Sequence, residues 1–156
     1  MSFRFVRSAG SVHEPAVIDM AASGTVRPGM AVEFTRGSVT TQGFVGPASS
    51  SSTTTNIFGV CLDYAQGASD VSVRVIPFVP GQIWEADTVG AITTLSVGKK
   101  QQLYGSNSVL INNNAYDQTG STGVFLVLGI TGLTTGSGKL LGEFLRTPAG
   151  VHQAGI

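Results

Sequence analysis

Ile57–Phe78 reads I-F-G-V-C-L-D-Y-A-Q-G-A-S-D-V-S-V-R-V-I-P-F, and it has the grammar of a β-hairpin. Ile57–Leu62 is a short apolar run broken by Gly59. Ala65–Ser69 carries turn chemistry, with Gly67 able to take positive φ. Val71, Val73 and Val75 then alternate with Ser72, Arg74 and Ile76, so one face is apolar and the other largely polar. The chain says this again at Leu126–Arg146, L-V-L-G-I-T-G-L-T-T-G-S-G-K-L-L-G-E-F-L-R. There too an apolar run holds a glycine (Gly129), a small-residue turn follows, and the next strand has one charge in its middle, Glu143 where the first copy has Arg74.

The echo extends upstream. Pro28-Gly29 opens M-A-V-E-F-T-R-G-S-V-T, and Val97-Gly98 opens K-K-Q-Q-L-Y-G-S-N-S-V-L; both read as strand, tight turn, strand. Gly29 and Gly98, Val39 and Val109, Gly59 and Gly129, and Asp70 and Lys139 are each about 70 residues apart, the fixed offset of an internal repeat. The expected fold is therefore all-β: a small barrel or sandwich of Gly-rich hairpins. The expected layout is an extended N-terminal arm over 1–24, a β-barrel domain over 25–147 with related halves at 26–78 and 95–146, and a C-terminal tail over 148–156.

Composition points the same way. Charged residues are 12% of the chain, near half the usual share, while Val, Thr, Ser and Gly abound. The formal net charge is zero, which argues against a dedicated nucleic-acid binder, because nothing is in excess to neutralise a phosphate backbone. A weakly charged surface suits a protein packed against other subunits. Cys61 is the one cysteine, so an internal disulfide is impossible, and its apolar run makes it a small buried hydrophobe. Neither a signal peptide nor a membrane span is legible, so synthesis and folding in the cytoplasm are expected.

In Met1–Met20, Phe3 and Phe5 alternate with Arg4 and Arg7, as in an edge strand or an extended arm, and Pro15 permits one helical turn after it. Met30–Arg36 and Val39–Val45 form a candidate hairpin turning at Arg36-Gly37-Ser38. Gly46–Asn56, G-P-A-S-S-S-S-T-T-T-N, has no side chain suited to a core and is expected to be a solvated tip. Pro77 and Pro80 end ladder pairing, so the chain leaves the first half there. Trp84, the only tryptophan, belongs to a core or a subunit interface. Asn112–Gly123 is a second polar loop.

The residues that could carry chemistry do not assemble into a motif. Thr135–Leu140, T-G-S-G-K-L, has Leu133 where a phosphate-binding loop needs its first glycine and Leu140 where it needs Ser or Thr. His13 and His152 lie near opposite ends, without a second ligand at metal spacing. No serine stands in a Gly-x-Ser-x-Gly elbow, and Asn112–Asp117 lacks the acid alternation of a calcium loop. The expectation is a non-enzyme with no cofactor and no metal.

S-G-T-V-R-P-G-M-A-V-E-F, then I-F-G-V-C-L-D-Y with G-A-S-D-V-S-V-R-V, then L-S-V-G-K-K-Q-Q-L-Y, then V-L-G-I with a Gly turn and a last strand, resembles the head decoration (cement) proteins of tailed bacteriophages. The likeness spans about Ser23–Arg146; Lys99 stands where an acid is common after Val-Gly, and the Ser/Thr loop is longer. The resemblance implies a small β-barrel on the outside of the capsid lattice, bound to the major capsid protein and to copies of itself as trimers or dimers. It implies no enzyme activity and no cofactor, and the neutral charge and lack of an apolar span add the expectation of no nucleic-acid or membrane partner. Phe3, Arg4, Phe5, Arg7 and Trp84 are the expected capsid or subunit contacts, with aromatics as anchors and arginines paired to acidic capsid residues. Alternatives are another β-rich virion subunit, of head closure or tail tube, and a soluble ligand-binding β-barrel.

Overall fold

The computed structural model describes residues 2–8, 15–35, 44–66, 71–90, 96–105, 107–112, 120–132 and 138–147. These residues form an all-β molecule. The strands are β1 (Arg4–Ser8), β2 (Ile18–Ala22), β3 (Ala31–Phe34), β4 (Val45–Pro47), β5 (Ile57–Cys61), β6 (Val71–Pro77), β7 (Gln82–Val89), β8 (Lys100–Tyr104), β9 (Asn107–Asn112), β10 (Phe125–Gly132) and β11 (Lys139–Phe144).

Strands β2 to β6 close into a five-stranded barrel in the order β2-β4-β3-β5-β6. The second sheet runs β1-β7-β11-β10-β8-β9, and parallel pairing of β7 with β9 joins its five later strands into a ring as well. The two rings pair strand for strand in the same way. The first strand of each lies parallel to the third (β2 with β4, β7 with β9), and every other pair is antiparallel.

The likeness reaches single hydrogen bonds. Gly29 N–H donates to the Cys61 carbonyl at 2.8 Å, and Cys61 N–H donates to Met30 at 2.9 Å. In the second ring Gly98 N–H donates to Val127 at 2.8 Å, and Val127 N–H donates to Lys99 at 3.0 Å. Gly29 and Gly98 hold φ of 83° and 84°, a conformation that a side chain would strain. Gly59 and Gly129 are not counterparts. Gly59 faces Val32 on β3, and the residue facing the matching position on β8, Gln101, is Phe125. Each ring also begins one strand earlier than the ranges 26–78 and 95–146, at β2 and at β7.

β5 explains why its sequence is continuously apolar. Phe58 and Cys61 point into the first ring with Val32, Val45, Val73 and Val75. Ile57 and Val60 join the larger cluster that includes Trp84, Leu103, Ile111, Phe125, Leu140 and Phe144 of the second ring. A strand covered on both faces needs no polar alternation, and all five β5 residues are buried. Phe144 stacks on Phe78 with ring centroids 3.8 Å apart and meets Phe3, Phe125 and Trp84 edge-on. One core therefore holds both rings.

Two expectations are corrected here. Within residues 1–24 the described segments are not an extended arm: β1 is an edge strand paired with β7, and β2 is a strand of the first ring rather than a helical turn after Pro15. The cause is apolar: Phe3 is buried in the shared core, and the Phe5 ring lies edge-on to Trp84 at 5.5 Å. Nor is Gly46–Asn56 a solvated tip. Ala48 and Ser52 are buried, and the Ser50 and Thr54 amides donate to Gly105 and Ser121 of the second ring. The turns at Arg36-Gly37-Ser38 and Gly67, the residues Val39, Asp70, His13, His152 and Asp117, and the tail 148–156 lie outside the described residues.

Candidate interaction surface

β7 alternates strictly, burying Gln82, Trp84, Ala86 and Thr88 and turning Ile83, Glu85, Asp87 and Val89 outward. Its neighbours bring basic groups to the outward acids. Arg4 on β1 meets Glu85 at 3.1 Å, and Lys139 on β11 meets Glu85 at 3.2 Å and Asp87 at 3.6 Å. The Ser2 amide donates to Asp87 at 3.3 Å. The hydrogen bond from Arg4 is the main cause holding the Glu85 carboxyl below its ordinary range, and the bond to Glu85 chiefly raises Lys139. Pairs this exposed add little stability; they fix the register of β1.

Among the described residues β1 pairs with β7 alone, so its far edge is open. A bulge at Val6 shifts the register between Phe5 and Arg7, and Val6 and Arg7 are exposed. The bulge and the basic side chains shorten the part of this edge that can pair with another strand. Of the expected contact residues, the structure places Arg4, Phe5 and Arg7 together on this strand. Phe3 and Trp84, at 3% and 1% exposure, are core residues of this molecule, for Trp84 the first of its two expected roles. Trp84 donates its indole N–H to Gln82 at 3.3 Å and packs against Phe5 and Phe78.

The first ring carries a second charged group. Arg74 on β6 forks onto Asp63, with its Nη2 2.7 Å from Oδ1 and its backbone N–H 2.8 Å from Oδ2. These bonds, the side-chain ones first, hold the Asp63 carboxyl down at about 2. Asp19 on β2 lies opposite Arg74 and adds its own attraction. Asp63 thus holds the guanidinium, and Asp19 adds a weaker pull without bonding to it.

Sequence reasoning missed a third group. The Glu33 carboxylate accepts from the buried Ser52 hydroxyl and from Asn56 Nδ2, the latter at 3.1 Å, while Asn56 Oδ1 accepts from the Thr53 amide at 2.6 Å. This network folds the Ser/Thr run against the first ring. The legible signal was Asn56 closing the run, since Asn and Ser hydrogen-bond nearby backbone in turns. Arg146 is a further half-buried cation. It lies 4.9 Å over the Phe58 ring, and burial lowers its pKa. Burial likewise raises the Cys61 thiol, whose Sγ donates to the Asp63 carbonyl at 3.1 Å. Among the described residues no three His, Cys, Asp or Glu side chains converge as metal ligands. No protein-family model matches the chain, and no curated protein matches it.

Proposed function

We propose that this chain is a structural virion protein that binds the outside of a bacteriophage capsid lattice and stabilises the head, meeting the major capsid protein and other copies of itself. The observation that carries the reading is the double ring with one shared aromatic core. The interior of the first ring is filled by Val32, Val45, Cys61, Val73 and Val75, all at or near zero exposure, which leaves the outer surface to act. Filled interiors weigh against the alternative of a barrel that carries a ligand inside. The weakly charged surface and the resemblance to head decoration proteins support the same reading.

The mechanism is reinforcement of interfaces. A clamp that binds the assembled lattice better than its separated subunits stabilises the lattice by mass action. Copies engaging symmetry-related sites gain avidity from effective concentration, so each contact can be weak. Arg4 and Arg7 on β1 are the contact set, with Phe5 holding the strand against Trp84 behind them. The test is co-sedimentation of purified protein with undecorated heads of the cognate phage. Saturable binding at a fixed ratio to capsid protein, with heads surviving hotter, supports the reading. Absence of binding, with rings or tubes formed alone, replaces it with a head-closure or tail-tube subunit.

A further inference from the structure

The two rings differ at one edge. On β7, β9 pairs with Asp87, Thr88 and Val89, and the rest of that edge is filled by β1, with Phe5 opposite Trp84 and Arg4 opposite Glu85. On β2 the matching pairing is a single bridge, Ala22 with Val45. Ala22 and Thr88 correspond, since each is followed two residues on by a positive-φ glycine, Gly24 and Gly90. Counting back, Ile18 stands where Trp84 stands and Asp19 where Glu85 stands. Among the described residues no strand occupies this part of the edge, and Val17 and Ile18 are 51% and 42% exposed.

We propose that the edge of β2 at Val17–Asp19 receives the open edge of β1 from a second copy of this chain, so that the sheet continues from one molecule into the next. The occupant's chemistry is read from the filled edge: a strand with arginine beside the acid and an apolar residue beside the apolar one. β1 supplies both when it lies parallel to β2, with Arg7 beside Asp19 and Val6, 42% exposed, beside Ile18. Charge agrees. Around β2, Asp19 and Asp63 outnumber Arg74; around β1, Arg4, Arg7 and Lys139 outnumber Glu85 and Asp87.

Donor and acceptor are different surfaces, so the contact is head-to-tail and closes into a ring if the rotation allows. The bulge at Val6 limits the paired length, so each contact is weak and assembly depends on concentration. This deepens the self-association in the proposed function and stands without the capsid.

Sedimentation equilibrium of the isolated chain over micromolar concentrations tests it. Ile18→Lys, Asp19→Lys and Arg7→Glu each weaken association at least tenfold with thermal unfolding unchanged, and Arg7→Glu with Asp19→Arg in one chain restores most of it. Val6→Cys with Ile18→Cys gives intermolecular disulfides, a readout needing no loss of function. A chain monomeric throughout, assembly indifferent to these substitutions, or assembly without cross-linking each overturns the proposal.

Discussion

In the first ring the glycine lies on β5, at Gly59, and the bulk beside it is Val75 on β6. In the second ring the bulk is Phe125, on β10, and the glycine is Gly142, on β11. A Cβ on Gly59 would enter Val75 Cγ1 and the Ile76 carbonyl, and one on Gly142 would enter the Phe125 ring and the Leu126 carbonyl. The same contact between neighbouring strands is thus filled from opposite sides. Pairing is a property of the backbone and repeats; volume needs only a constant sum across a contact, so its parts are free to change places. The parallel seams differ likewise, with three bridged pairs between β7 and β9 and one between β2 and β4.

The largest effect tests whether the rings are one cooperative unit. Phe144→Ala removes the ring on which Phe3, Phe78, Phe125 and Trp84 converge. A loss of about 3–5 kcal/mol is expected, read in denaturant unfolding as one earlier transition in both near-ultraviolet circular dichroism and Trp84 fluorescence. Two separated transitions would mean that the rings stand independently.

Next is the exchanged glycine. Gly142→Ala is expected to cost about 1–3 kcal/mol by overpacking. Phe125→Leu in the same chain recovers only part, because the Leu126 carbonyl remains in the way. A double-mutant cycle measures this, and strict additivity would show that the contact is not shared as described.

The smallest effect separates the surfaces of the two rings. The Asp63 carboxyl is depressed from 3.8 to about 2, so its stabilising contribution is present above pH 3.8 and is lost as pH falls towards 2. Asp63→Asn is expected to flatten the acid limb of the stability profile in that window, with its small loss seen above pH 3.8 and vanishing towards pH 2. An ordinary Asp63 titration by NMR would refute the forked geometry.

Much of the fold was legible where backbone demands show in the chain. Gly29 and Gly98 each stand two residues ahead of a strand, β3 and β8, because a positive φ at that turn admits little else. β5 and β6 read as strands because Val71, Val73 and Val75 alternate against a continuous apolar run. The match of Gly59 to Gly129 misled, since the glycine had crossed to the neighbouring strand. β2 was not seen as a ring-opener, because I-D-M-A-A lacks β-branched residues beyond Ile18. Arg4, Phe5 and Arg7 share β1 as their spacing implied, but sequence does not distinguish an aromatic held in the core, such as Phe3, from one left at the surface. The Glu33 network was hidden because Ser52 looks like any serine in a polar run.

β1 belongs to the start of the chain, yet its partner lies in the second ring, with Arg4 and Glu85 separated by 81 positions. During vectorial synthesis the first ring has all its strands once Pro77 has left the ribosome, while β7 is still enclosed in the exit tunnel. A nascent chain halted there would carry a finished ring and an unsatisfied leading strand, with Phe3 and Phe5 in water. The docking of that strand is a late, long-range step, and it reports that translation has passed β7.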